Sequence, residues 1–308
     1  MTSNISKESK EKIQQLIHSE DFESVVQGLN LLEALVEDEN DIYDFFDFTD
    51  KIPSSVDELE EHCTYFHFGY VILWIIRELG RKGVRWVVEL DTLHCDDYFI
   101  EGICVLPNIE KLRVRFQFFS EFPEDICKLP KLKDLEFDCI ELPNWPDTLT
   151  GLESLKRLTL IGNELTTLPG FVTKCYTLEE LWLKDNEITI IPESIGSLTK
   201  LKTLDLTWNY ITSLPTTIAK LTNLNDLYLS GIGLSNLSES ELEDFFASIA
   251  KLPVLVQIDI GENNLTKLPE SFWSIAPPLI IYMCNNNLSM TAEEIKEGLN
   301  APDMQVEI

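Results

Sequence analysis

Residues 178–200 read LEELWLKDNEITIIPESIGSLTK, and residues 201–223 read LKTLDLTWNYITSLPTTIAKLTN. Laid one over the other, the two 23-residue stretches place leucine on leucine, asparagine on asparagine and proline on proline. The pattern L-x-x-L-x-L-x-x-N-x-L continues outward in both directions. It recurs at Leu155, Leu158, Leu160, Asn163 and Leu165, and again at Leu255, Ile258, Ile260, Asn263 and Leu265. Weaker copies cover residues 109–119, 132–142, 224–234 and 278–288. The position held by Asn163 repeats at 117, 140, 163, 186, 209, 232, 263 and 286, every step 23 residues except one of 31.

The L-x-L centre of each copy has period two, so it predicts a short strand with leucines on one face and the intervening residues on the other. Stacked copies pair these strands into a parallel sheet over a continuous leucine core. The asparagines Asn163, Asn186, Asn209, Asn263 and Asn286 then align to satisfy backbone groups where the chain leaves the sheet. Asparagine is missing at Gln117, Ile140 and Ile232, which breaks the ladder there.

The second half of the repeat has the form L-P-x-x-I-x-x-L, as in Leu214–Leu221, and the copy before it matches with Ile191 in the leading place. On these residues the segment resembles a leucine-rich repeat array of the 23-residue class found in Ras-binding scaffolds and bacterial cytoplasmic proteins. That resemblance implies an α/β solenoid, a horseshoe with the parallel sheet on its concave face. Three regions are expected. Residues 1–104 read as a helical N-terminal cap domain, residues 105–290 as about eight repeats, and residues 291–308 as a C-terminal cap. The 31-residue step carries LSESELEDFFASIAKL, in which Ser238 and Glu241 form a capping-box pattern ahead of Leu242, Phe245, Phe246 and Ile249. An inserted helix near 238–252 is expected there. Helices are also expected from Val56 onward and over 65–79, and a first strand over 84–90.

The outward column reads Arg113, Glu136, Thr159, Trp182, Asp205, Tyr228, Asp259, Tyr282. Aromatic and acidic side chains alternate across its centre on strands about 4.8 Å apart. The candidate protein-binding surface is therefore Trp182, Asp205, Tyr228, Asp259 and Tyr282, with Glu180, Asp226 and Glu136 beside them and Trp208 near the edge. Rings would supply rigid apolar anchors, and carboxylates would select a cationic partner. Lys111, Arg113 and Arg115 face Asp134, Glu136 and Asp138 in the next copy and are expected to neutralise one another.

Of 308 residues, 53 are acidic and 24 basic, a net charge of −29. Such a field repels nucleic acid and anionic membranes and favours a basic protein or peptide. Seven cysteines without a regular framework point to buried thiols in a reducing compartment. The polar N-terminus shows no signal-peptide pattern, and a cytoplasmic location is expected. No phosphate loop or nucleophile elbow is present. His62, Cys63, His67, His94 and Cys95 are the remaining metal or nucleophile candidates, and without a C-x-x-C pair no metal or cofactor is expected. The expected function is non-enzymatic binding of a basic protein or peptide on the concave face, with inhibition of a basic enzyme as one form of it. The alternatives are a signalling scaffold contacting a small GTPase and an enzyme or metal protein built on the N-terminal histidines and cysteines.

Overall fold

The computed structural model describes residues 5–19, 21–37, 39–46, 68–82, 90, 92–96, 102–276 and 280–308. The chain divides into two compact units, Met1–Gln117 with Pro123–Leu132, and Phe118–Phe122 with Lys133–Ile308.

The first unit carries helices α1 (Lys7–Ile17), α2 (Phe22–Glu33), α3 (Glu39–Phe45) and α4 (Phe68–Arg81), then strands β1 (Thr92–Asp96) and β2 (Lys111–Arg115). Ser6 and Asp21 open the first two helices, each side chain accepting a backbone N–H three residues on. Ile13 and Ile17 of α1 are buried, as are Val25, Leu29 and Leu32 of α2. Gly28 lets these helices approach, because a Cβ there would lie 2.9 Å from Ile17 Cγ1. In α3 and just after it, Ile42, Tyr43, Phe45 and Phe46 are all buried. Glu33 joins α2 to α4 by accepting from both Arg77 and Arg81 at 2.6 Å. Strands β1 and β2 pair in parallel. The helix expected from Val56 lies outside the described residues, as does the strand expected over 84–90 apart from Leu90. Among the described residues the first strand is β1, two residues further on.

The second unit holds the repeats from Lys133 onward. Strands β3 (Asp134–Asp138), β4 (Arg157–Ile161), β5 (Glu180–Trp182), β6 (Thr203–Asp205), β7 (Asp226–Tyr228), β8 (Gln257–Asp259), β9 (Ile280–Tyr282) and β10 (Gln305–Glu307) form a parallel sheet in chain order. Register follows the sequence period, so Leu158, Leu181, Leu204, Leu227, Ile258 and Ile281 stand side by side. All six are fully buried, which places the core on the leucine side. Short 3₁₀ helices such as Glu193–Ser197 and Thr216–Lys220 form the opposite wall. In the 31-residue step this wall is an α-helix, α5 (Glu239–Ile249), with its capping box formed between Ser238 and Glu241. Phe245, Phe246 and Ile249 bury its inner face. After β9, a last helix, α6 (Ala292–Gly298), is capped by Thr291 and Glu294 and leads into β10, which covers the edge of β9.

Each asparagine of the ladder ties one copy to the one before. Asn186 Oδ1 accepts the N–H groups of Asn163 and Leu165 at 3.0 Å. Its Nδ2 donates to the carbonyls of Leu160 and Leu183 at 2.6 and 2.9 Å. Asn209 accepts from Ile188 N–H, Asn163 from Ile140 N–H and Asn286 from Leu265 N–H. Asn263 spans the longer step by accepting from Gly233 and Leu234. The wall has its own lateral ties: Glu193 accepts the N–H groups of Thr216 and Thr217, and Glu243 those of Glu270 and Ser271. These carboxylates cap the start of the next copy's 3₁₀ helix, where backbone donors are otherwise unpaired.

Candidate functional site

On the solvent side of the sheet, Trp182, Asp205, Tyr228, Asp259 and Tyr282 occupy adjacent positions on β5 to β9. Trp182 and Tyr228 stand two strands apart, a separation of about 9.6 Å for ideal strands. Their ring centroids nevertheless lie 6.0 Å apart with planes 24° from parallel. Both rings therefore lean inward over β6 and roof Asp205, which is only 6% exposed. Asp205 Oδ1 accepts the Thr207 N–H at 2.8 Å. Burial still dominates and raises the Asp205 carboxyl above its ordinary pKa. Asp259 repeats the arrangement, accepting the Gly261 N–H at 2.8 Å, and burial raises its pKa too.

Hydrogen bonds lock the rings in place. Trp182 Nε1 donates to Glu180 Oε2 at 3.2 Å, and Arg157 grips Glu180 with two bonds of 2.8 Å. The Arg157 guanidinium holds Glu180 below the usual carboxylate range and also reaches Asp134 at 3.3 Å. At the other end Gln257 Nε2 donates to the Tyr228 hydroxyl at 3.1 Å, while burial, with Asp226 and Asp205 nearby, raises the pKa of that phenol. A connected set of side chains thus runs from β3 to β8 across the sheet face. Asp226 accepts from Thr203 Oγ1 at 3.3 Å. Glu136, Asp259 and Tyr282 are half-buried on the same face. The face can present two stacked rings with carboxylates around them.

Trp208 stands elsewhere. It lies three residues past β6 with φ 54°, at the turn where the chain leaves the sheet, and is 47% exposed. Every copy makes this left-handed turn: Phe116, Cys139, Gly162, Asp185, Gly231, Glu262 and Asn285 share the conformation. Only the glycines, Asp185 and Asn285 advertise it in the sequence. The roles of Arg157 and Gln257 also escaped the sequence reading. Arg157 sits two residues before the outward column, on the same face and opposite Glu180 in the next copy, a spacing visible in the sequence. His62, Cys63 and His67 lie outside the described residues. His94 and Cys95 lie on β1, and Cys95 is buried.

Among the described residues no helix is long and apolar enough to cross a membrane. A leucine-rich repeat family model matches residues 154–211 and, overlapping them, 176–234. Among solved structures, the chain is similar to a leucine-rich repeat protein of Leptospira interrogans. The two are 26% identical with a TM-score of 0.53, over 70% of this chain and 51% of that one. The chain thus spans about half the length of that relative. No curated protein matches. Strands stacked at the sequence period, an asparagine ladder tying copy to copy and the family match over the central repeats agree: the chain carries a leucine-rich repeat array.

Proposed function

We propose that the sheet face of the second unit binds a basic protein or peptide, with the Trp182–Tyr228 pair as its anchor. The observation that carries this reading is the stacked pair itself, 6.0 Å between centroids and held at both ends by Glu180 and Gln257. Ordering side chains at an interface costs affinity, and rings fixed in the free protein avoid most of that cost. Large, rigid aromatic residues are also those most often found to dominate interface energetics. The partner's basic character follows from the net charge of −29 and from Asp226 and Asp259 beside the rings. Asp205 contributes shape rather than a presented charge, because the rings cover it.

The test is a pull-down comparing wild type with a Trp182→Ala/Tyr228→Ala bait, followed by affinity measurement on any basic protein retained. Binding by wild type, weakened about tenfold or more in the variant and falling with added salt, supports the reading. A basic partner held equally by a folded double variant would sink it.

A further inference from the structure

A second surface of the repeat unit has the makings of a cation site, on the turn side rather than the sheet face. Trp208, Tyr210, Glu164, Asp185, Glu187, Gly162 and Gly231 line one cavity of about 330 Å³. Trp208 forms a wall. A Cβ on Gly231 would come within 2.8 Å of its ring, so one face of the indole rests on that glycine. The ring nonetheless remains 47% exposed, and Tyr210 beside it is 64% exposed. The three carboxylates come from the two preceding copies. Among the described residues none of the three is in an ion pair, and no lysine or arginine lines the cavity. Elsewhere in the same unit strongly placed acids have cations: Glu179 has Lys156 and Lys202, and Glu180 has Arg157.

We infer that this notch accepts an arginine side chain from a partner polypeptide. A guanidinium is planar and weakly hydrated. It can stack on an indole while its edge donates paired hydrogen bonds to carboxylates, which a compact ammonium cannot do as well. An indole wall and three carboxylates outside any ion pair, in one cavity of this size, match that chemistry. The site is separate from the Trp182–Tyr228 pair and does not depend on it.

The probe is N-acetyl-arginine amide, titrated into the ¹⁵N-labelled full chain. The protein has six tryptophans, and the Trp208 indole signal is the one missing from Trp208→Asn, a residue that tolerates the left-handed turn. The expected result is a saturable shift of the Trp208 indole and of the Gly231 amide. N-acetyl-lysine amide should bind about fivefold more weakly. Asp185→Asn/Glu187→Gln should weaken arginine about tenfold, and Trp208→Asn, followed at Gly231, about fivefold. Trp182→Ala/Tyr228→Ala should leave the titration unchanged, which separates this site from the sheet-face reading. The proposal fails if no shift saturates, if lysine binds as well as arginine, or if the acid-neutralising variant binds arginine like wild type.

Discussion

At Asp205 two influences oppose each other. The Thr207 N–H and the Lys184 charge favour the carboxylate, while the roof formed by Trp182 and Tyr228 removes it from water and favours the acid. Burial dominates, so the folded pKa lies above the unfolded one. Between those two values the folded state binds more protons than the unfolded state, and stability falls as pH rises through the interval. At neutral pH the ionised Asp205 is therefore a cost. Asp205→Asn keeps an Oδ1 for the Thr207 N–H and removes the charge. It should raise Tm at neutral pH by on the order of 2 °C, with the gain shrinking as pH falls below the folded pKa, as thermal melts across pH would record. Glu179 behaves in the opposite sense: Lys202 and Lys156 hold its pKa down to about 2. Its contribution is present above the ordinary glutamate value and lost as pH falls toward 2. The sequence revealed that Trp182, Asp205 and Tyr228 share a face, because alternation along a strand fixes direction. It could not reveal that two rings close over the residue between them, since that depends on rotamers and on Glu180 and Gln257 in neighbouring copies.

Among elements, the asparagine ladder was readable and the wall ties were not. A column of asparagines at fixed spacing has one obvious use where the chain turns out of the sheet. Glu193 shares a column with Glu124, Asp147 and Glu270, while Glu243 lies in the inserted helix outside it, and their acceptor role emerges only when residues 23 to 28 positions apart are brought side by side. The inserted α5 was legible from Ser238 and Glu241, because a capping box is a local signal. The cost of breaking a tie scales with the backbone groups left behind. Asn186→Ala would strand the N–H groups of Asn163 and Leu165 and the carbonyl of Leu160 in a buried turn. At roughly 1–3 kcal/mol for each buried group left unpaired, a loss of about 3 kcal/mol or more is expected in urea denaturation. Asn286→Ala should cost less: it lies half-buried near the end of the array and accepts the single N–H of Leu265. Equal losses at the two positions would mean that water replaces these bonds.

For the molecule as a whole, net charge overstates how much acid is on offer to a partner. Glu179, Glu180, Glu193 and Glu243 are all committed to neighbouring copies, and their pKa values are lowered by those bonds. Sequence composition counts them with the rest. Stability is likewise a property of the stack. A repeat contacts only its neighbours, so its core strand matters to copies on both sides. Leu204 is fully buried between Leu181 and Leu227 in the strand register. Leu204→Asp would place a carboxylate among leucines with no cation to meet it, or force a neutral acid into a cavity that fitted a leucine. Either route costs several kcal/mol against a typical total of about 5–15 kcal/mol. The cooperative melt of the repeat unit should be lost or moved far down in temperature. Ile190→Asp, at a position 58% exposed, adds the same charge and should melt within a few degrees of wild type. Calorimetry on both variants separates burial from charge: if Leu204→Asp melted like Ile190→Asp, Leu204 would have to face water, and every assignment of core and sheet face along the array would invert with it.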